Sequence, residues 1–223
     1  MKPIAHIEND LHTKFGVPRQ SGLVEDLESR IVFEPEYRQP EALRGLEGFS
    51  HIWLLWDFSE AHRPTWSPTV RPPRLGGNRR MGVFATRSPF RPNPIGLSSV
   101  RIKRIELHTP QGPVIHVAGA DLMDGTPILD IKPYLPFTDC HPDATGGFTD
   151  ETRLQEPLQV EIPTELAHQL TPRQVDALRE ILANDPRPHY QDDPDREYGM
   201  EYAGRDIKFK VNNNRVEILY TTN

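Results

Sequence analysis

"HIWLLWDF", residues 51–58, holds five consecutive apolar residues, Ile52 to Trp56, between His51 and Asp57. A short run of this kind, apolar on both faces, predicts a central buried strand. Similar β-branched or aromatic runs lie on either side: "KPIAHIE" (2–8), "ESRIVFEP" (28–35), "RMGVFAT" (80–86), "LSSVRIKRIEL" (97–107), "PVIHVAG" (113–119) and "TPILDIKPY" (126–134). Gly, Pro and Asn clusters separate them, and no long helical periodicity intervenes to make crossovers. The pattern predicts a mainly β, antiparallel body, barrel or sandwich, rather than a doubly wound α/β fold.

Beyond "DATGGFTDETRLQEP" the character changes. "PTELAHQLTPRQVDALREILANDPRP" predicts a helix with Thr171 as cap, Pro172 first and Gln174 closing a capping box, its stripe Val175, Leu178, Ile181 and Leu182, ended by Pro186. "RDIKFKVNNNRVEILY" predicts a hairpin turning at Asn212 to Asn214. The expected organisation is a body over residues 1–150 and a small α+β domain over 151–223. The body is expected to be self-sufficient, unless "PLQVEIP" (157–163) supplies one of its strands.

The 223 residues, 36% hydrophobic and 26% charged, suit a folded chain with a real core. No apolar run approaches a membrane span. "MKPIAHIEND" meets Glu8 and Asp10 before an apolar segment could form, so a cytoplasmic protein is expected. The single cysteine, Cys140, excludes an internal disulfide and every paired-cysteine zinc pattern. "TDCHPD" (138–143) reads as a polar loop rather than a ligand cluster, and no metal is expected.

The net charge of -6 is unevenly spread. Between Glu60 and Glu106 there is no carboxylate, while Arg63, Arg71, Arg74, Arg79, Arg80, Arg87, Arg91, Arg101, Lys103 and Arg104 are all cationic. So long an acid-free stretch, nearly all arginine, favours an anionic partner over a merely solvated face.

Within that stretch, "RMGVFATRSPFRPNPIGLSS" (80–99) carries Pro89, Pro92 and Pro94, which hold Ser88, Arg91 and Asn93 extended. A stiff loop loses little entropy when its arginines order on a ligand, so recognition is favoured over a plain connection. "RPPRLGGN" (71–78) sets Gly76 and Gly77 between Arg74 and Arg79, either an anion-approaching backbone or a plain turn. No Gly-x-Gly-x-x-Gly is present, which disfavours a Rossmann site. In "DLMDGTPILDIKPY" (121–134), Asp124 in a tight turn and Asp130 on the strand are the carboxylates expected near chemistry, with Ile128, Asp130 and Lys132 on one face. A surface pair between Asp130 and Lys132 is the competing reading.

Together, "GVPRQSGLV", "RGLEGFSHIWLLW", "SPTVRPPRLGGNRRMGVFATRSPFRPNPIGLS", "DLMDGTPILDIKPYLPF" and "DPRPHY" closely resemble the bacterial TsaA/TrmO (YaeB-like) family. Its members are tRNA methyltransferases that use S-adenosylmethionine to methylate N6 of threonylcarbamoyladenosine at anticodon-loop position 37. The resemblance implies a non-Rossmann β-barrel methyltransferase domain, a small C-terminal domain that helps hold tRNA, and a homodimer with the cofactor near the subunit interface. It implies cofactor contacts at Pro18, Arg19, Gln20, Ser59, Glu60, Arg87, Leu97, Asp124, Gly125, Thr126 and Pro127. Arg74, Arg91 and Asn93 are the expected substrate contacts, and Asp130 or Tyr134 the expected proton acceptors. Two other readings stay open: a non-catalytic RNA-binding barrel, and a methyltransferase of this fold acting on a small molecule.

Overall fold

A computed structural model describes residues 1–72, 79–152, 156–187 and 193–222. Six strands close a barrel in the order β1, β2, β7, β6, β3, β8, every neighbouring pair antiparallel. They are β1 (Ala5–Glu8), β2 (Glu28–Phe33), β3 (His51–Asp57), β6 (Ile95–Thr109), β7 (Gly112–Ala118) and β8 (Pro127–Pro133). β4 (Thr69–Val70) and β5 (Met81–Gly82) form a separate two-stranded ribbon on the path from β3 to β6.

The predicted strand at 51–58 is central, flanked by β6 and β8, but it is not buried on both faces. Ile52, Leu54 and Trp56 point into the core, while His51, Trp53, Leu55 and Asp57 stay half-exposed. A small barrel has one apolar interior, so even a continuous apolar run divides by the two-residue period. "RMGVFAT" is also not a barrel strand. After Gly82 the backbone N–H and the hydroxyl of Thr86 both donate to the Val83 carbonyl, curling the chain into a 3-10 turn.

Ile7, Ile31, Ile52, Leu54, Trp56, Ile115, Val117, Leu122 and Ile128 fill the barrel. Gly96 stands opposite Trp56 in the β3–β6 register. A β-carbon there would fall inside the Trp56 indole, so only glycine leaves the ring its place. Gly96→Ala should therefore lower the thermal midpoint by about 5 °C or more through overpacking. A melting curve superimposable on the wild type would show that the ring can move aside.

The C-terminal part builds a four-stranded sheet in the order β10, β11, β12, β9. These are β9 (Gln159–Val160), β10 (Tyr198–Tyr202), β11 (Arg205–Asn212) and β12 (Arg215–Thr222). β9 pairs in parallel with β12, so "PLQVEIP" joins this sheet and not the barrel. The β11–β12 hairpin turns on Asn213 and Asn214, both at positive φ, as a two-residue turn of the primed type requires. Two single-turn helices, α1 (Pro136–Asp139) and α2 (Phe148–Thr152), follow β8, and α3 (Thr164–Ala167) follows β9. α4 (Pro172–Ala183) carries the predicted capping box and buries Ala177, Leu178, Ile181 and Leu182 against the sheet.

The core under α4 does not belong to the C-terminal segment alone. Leu11, Val24 and Leu27, from the loop between β1 and β2, are fully buried within it, with Phe15 and Val17 packed alongside. The expectation of a self-sufficient body over residues 1–150 meets its difficulty here: that body lends three core residues to its neighbour.

Candidate functional site

In an antiparallel barrel, connections alternate between the two ends. The strand directions place the β1–β2, β3–β6 and β7–β8 connections at one rim and the start of the chain leaving β8 at the other. Pro18 to Gln20, Ser59 and Glu60, Arg87, Leu97, and Asp124 to Pro127 therefore gather at a single rim although they span more than a hundred residues. Tyr134 follows β8 and lies at the opposite rim. The seven residues of β8 separate it from the Asp124 turn by about 20 Å. Its ring packs on Trp53 at 5.6 Å and near His51 at 6.2 Å, and partial burial beside Cys140 and Asp139 raises its pKa.

One loop, residues 9–22, threads the rim and touches each group in turn. Asp124 Oδ1 accepts the Asn9 backbone N–H at 2.9 Å, and His12 Nδ1 lies 3.2 Å from Asp124 Oδ2. Lys14 pairs with Glu60 at 2.9 Å. Arg87 donates to the Gln20 side-chain carbonyl. Gly22 N–H donates to the Gly119 carbonyl at 2.8 Å, where Gly119 has φ +78° and backs directly onto Gly22. Arg19 turns the other way, its guanidinium donating to the carbonyls of Asp185 (3.0 Å) and Arg187 (2.5 Å). Arg187 is itself locked by a two-point ion pair to Asp185. The "DPR" segment of the C-terminal part thus grips the cofactor loop expected from the sequence.

The remaining expected residues sort by what they touch. Pro18 is half-buried, and Ser59 is exposed at the start of a 3-10 turn. Gly125, at φ +74°, is the exposed apex of a turn in which Thr126 hydroxyl donates to Met123 O, and Pro127 opens β8. Leu97 lies on the barrel's outer wall opposite Leu55, which in turn faces Asp130. A bulge in β8 at Leu129 resets the alternation, so Ile128 and Ile131 both turn to the core and Asp130 turns out with Lys132. The expectation that Ile128 and Asp130 share a face is overturned by that extra residue. Asp130 pairs with Lys132 at 2.8 Å, the competing surface pair. Arg91 donates to the Thr86 and Ser88 carbonyls, stapling its own loop, and Asn93 is exposed. Arg74 lies outside the described residues, as do Gly76 and Gly77.

One polar network escaped the sequence reading. Trp56 Nε1–H donates to Ser98 Oγ at 3.0 Å, and because the indole can only donate, the Ser98 hydroxyl turns its proton to Asp121 Oδ1 at 2.5 Å. Asp121 also receives the Ser21 backbone N–H and faces Arg87, which places a carboxylate beneath the 18–22 loop. Burial raises its pKa, against the pull of Ser98 and Arg87. A carboxyl whose folded pKa is raised adds stability that is fully present below the unfolded value near 3.9 and lost as pH rises through the folded value. Between pH ~4 and ~7 the urea midpoint of the wild type should therefore fall relative to that of Asp121→Asn. A constant difference across that range would mean the carboxyl titrates normally. No spacing marks Asp121 in the sequence; only the path of the β7–β8 connection over the rim brings it to Ser98 of β6.

A cavity of about 170 Å³ lies between barrel and α4, lined by Asp10, Asp26, Glu28, Arg173, Gln174 and Tyr202 among others. It is smaller than the roughly 300–1,000 Å³ of ordinary ligand pockets, and ion pairing of Arg173 with Glu28 crosses it. Among the described residues no cluster of three or more His, Cys, Asp or Glu could hold a metal ion, and no helix is long and apolar enough to cross a membrane.

The fold and rim together define a non-Rossmann, barrel-based protein whose loops offer arginine, amide and carboxylate groups at one end. Residues 6–140 match the tRNA-methyltransferase O N-terminal domain, and residues 155–222 match the TrmO C-terminal domain. The chain belongs to the TrmO family. A relative from Escherichia coli (strain K12), named tRNA (adenine(37)-N6)-methyltransferase, is 45% identical over 206 residues, covering 90% of this chain and 86% of its own length. A Pseudomonas aeruginosa relative, whose name places it among S-adenosylmethionine-dependent methyltransferases, is 40% identical over 216 residues, covering 93% of this chain and 90% of its own. A crystal structure of TrmO from Pseudomonas aeruginosa superposes with a TM-score of 0.77 at 32% identity, covering 99% of this chain and 97% of that one.

Proposed function

We propose that this protein transfers a methyl group from S-adenosylmethionine to N6 of adenosine 37 in tRNA, with threonylcarbamoyladenosine as the acceptor, and that it works as a cytoplasmic homodimer. Residues 1–150 form the cofactor-binding barrel domain and residues 151–223 a C-terminal domain that contacts tRNA. The observation that carries the reading is the convergence of the 18–20, 59–60, 87, 97 and 124–127 positions on one rim, in a chain that matches the family along nearly its whole length.

The residues suit the cofactor. Arg87 brings an exposed guanidinium that Gln20 orients, and a guanidinium recognises a carboxylate in two-point fashion. Leu97 gives an apolar surface, and the exposed backbone at Gly125 lets a ligand approach closely. When bound, S-adenosylmethionine supplies an electrophilic methyl group. The protein's own part is alignment: loops stiffened by Pro18, Pro89, Pro92, Pro94 and Pro127 hold donor and acceptor in line, an effect reaching roughly 7–11 kcal/mol in well-oriented systems. The exocyclic amine becomes nucleophilic as its lone pair leaves ring conjugation, and an acceptor for its proton is needed. Asp130 shares the outer wall with Leu97 and is proposed for that role in preference to Tyr134, which stands at the far rim.

Purified protein should bind S-adenosylmethionine in calorimetry, and mass spectrometry of digested tRNA should show one added methyl on threonylcarbamoyladenosine and none on unmodified adenosine 37. Absence of cofactor binding would overturn the reading. Equal methylation of both tRNAs would overturn its acceptor.

A further inference from the structure

The same loop that turns Arg87 toward Gln20 turns two aromatic rings outward. Phe84 and Phe90 flank Arg87 at three residues on each side in "FATRSPF" (84–90). Phe84 is 71% exposed, and its ring lies 6.1 Å from that of Trp66, itself 52% exposed, at an interplanar angle of 32°. The guanidinium of Arg63 stacks 3.6 Å from the centre of the Phe90 ring. All four residues lie on the connection from β3 to β6, at the rim that carries the cofactor positions.

Large apolar rings left in water are a cost that a monomer ordinarily avoids, and here they stand inside the acid-free stretch between Glu60 and Glu106. Resting on the proposed tRNA reading, we propose that Trp66, Phe84 and the Arg63–Phe90 stack form a platform on which unpaired anticodon-loop bases stack, delivering the acceptor base to the rim. Charge chooses the occupant. A partner subunit that met this patch with its own copy about a two-fold axis would bring arginine-rich, carboxylate-free segments together, so the subunit contact of the proposed homodimer is assigned to other residues of the rim, whereas an RNA loop brings phosphates to the arginines and π-faces to the rings. A duplex keeps its bases stacked inside and cannot use the rings. The platform therefore selects single-stranded RNA, and the arginines Arg71, Arg79 and Arg80 near it supply the salt-dependent attraction.

The full-length protein, an unmodified tRNA anticodon stem-loop and a fully paired RNA of the same length suffice for the test. Titration calorimetry reads stem-loop and duplex affinity in every variant without relying on a tryptophan signal. Trp66→Ala and Phe84→Ala should each weaken stem-loop binding about tenfold, leave duplex binding and S-adenosylmethionine affinity unchanged, and be rescued by Trp66→Phe and Phe84→Tyr. Stem-loop affinity within about twofold of wild type in both alanine variants overturns the platform. So does a shift from dimer to monomer in sedimentation, which would make the rings a self-association surface. Wild-type protein that binds neither RNA instead removes the tRNA reading itself, and the platform falls with it.

Discussion

Arg87→Lys is expected to bind S-adenosylmethionine about ten- to a hundredfold more weakly than wild type, whereas Arg101→Lys keeps wild-type affinity. Hydrogen bonds to a charged group contribute about 1.5–3 kcal/mol, and a two-point fork cannot be replaced by a single ammonium. Arg87 is placed for such a fork: one guanidinium nitrogen is oriented by Gln20, and Asp121 lies behind it. Lysine at 87 would keep the charge that balances Asp121 but lose the planar geometry. Arg101 sits on the outer wall of β6, 4.0 Å from Glu25, where a lysine serves as well. Titration calorimetry of the two variants decides the matter, and equal losses would reduce Arg87 to one cation among many on a basic face. The two variants carry the same net charge, so a difference between them cannot come from long-range electrostatics.

Part of the rim was readable from local spacing. The stiff turns at 87–94 and 124–127 announce themselves through Pro, Gly and Asp, whereas 18–20, 59–60 and 97 came from the family resemblance, and alternation in an antiparallel barrel carries all of them to one end. What escaped reading depends on register. Leu129 as a bulge, which turned Asp130 outward, has no local signature, since Ile-Leu-Asp-Ile alternates acceptably without it. Asp121 becomes a hub only because β6 places Ser98 beside it and beneath Trp56. Leu11, Val24 and Leu27 resembled ordinary loop residues. Their burial depends on partners more than a hundred and thirty residues away, a distance over which no periodicity operates.

Those three residues govern the expected behaviour of a chain cut at Gln155. Such a chain keeps all six barrel strands and every residue named for the cofactor, yet it should lose S-adenosylmethionine binding and aggregate rather than melt cooperatively. Removing the C-terminal sheet uncovers Leu11, Val24 and Leu27, now 2% exposed or less. At about 1.5–3 kcal/mol for each buried side chain returned to water, the loss approaches the whole stability of an ordinary domain. The same cut strips Arg19 of the Asp185 and Arg187 carbonyls, so the 18–20 loop would be released from its outer anchor even if the barrel survived. A chain ending at Pro163 restores β9 but neither α4 nor the "DPR" segment, and it should fail in the same way. Circular dichroism melts and calorimetry with the cofactor measure both effects. A cooperative melt at the full-length temperature, with unchanged cofactor affinity, would mean that the 9–22 loop is held by the barrel alone. If instead binding is lost, an Arg187→Ala variant of the intact chain separates the two causes, because it frees the Asp185 turn while leaving the second core covered. Weakened cofactor binding with a near-normal melt in that variant would make the C-terminal domain part of the cofactor site through Arg19, beyond the tRNA contact proposed for it.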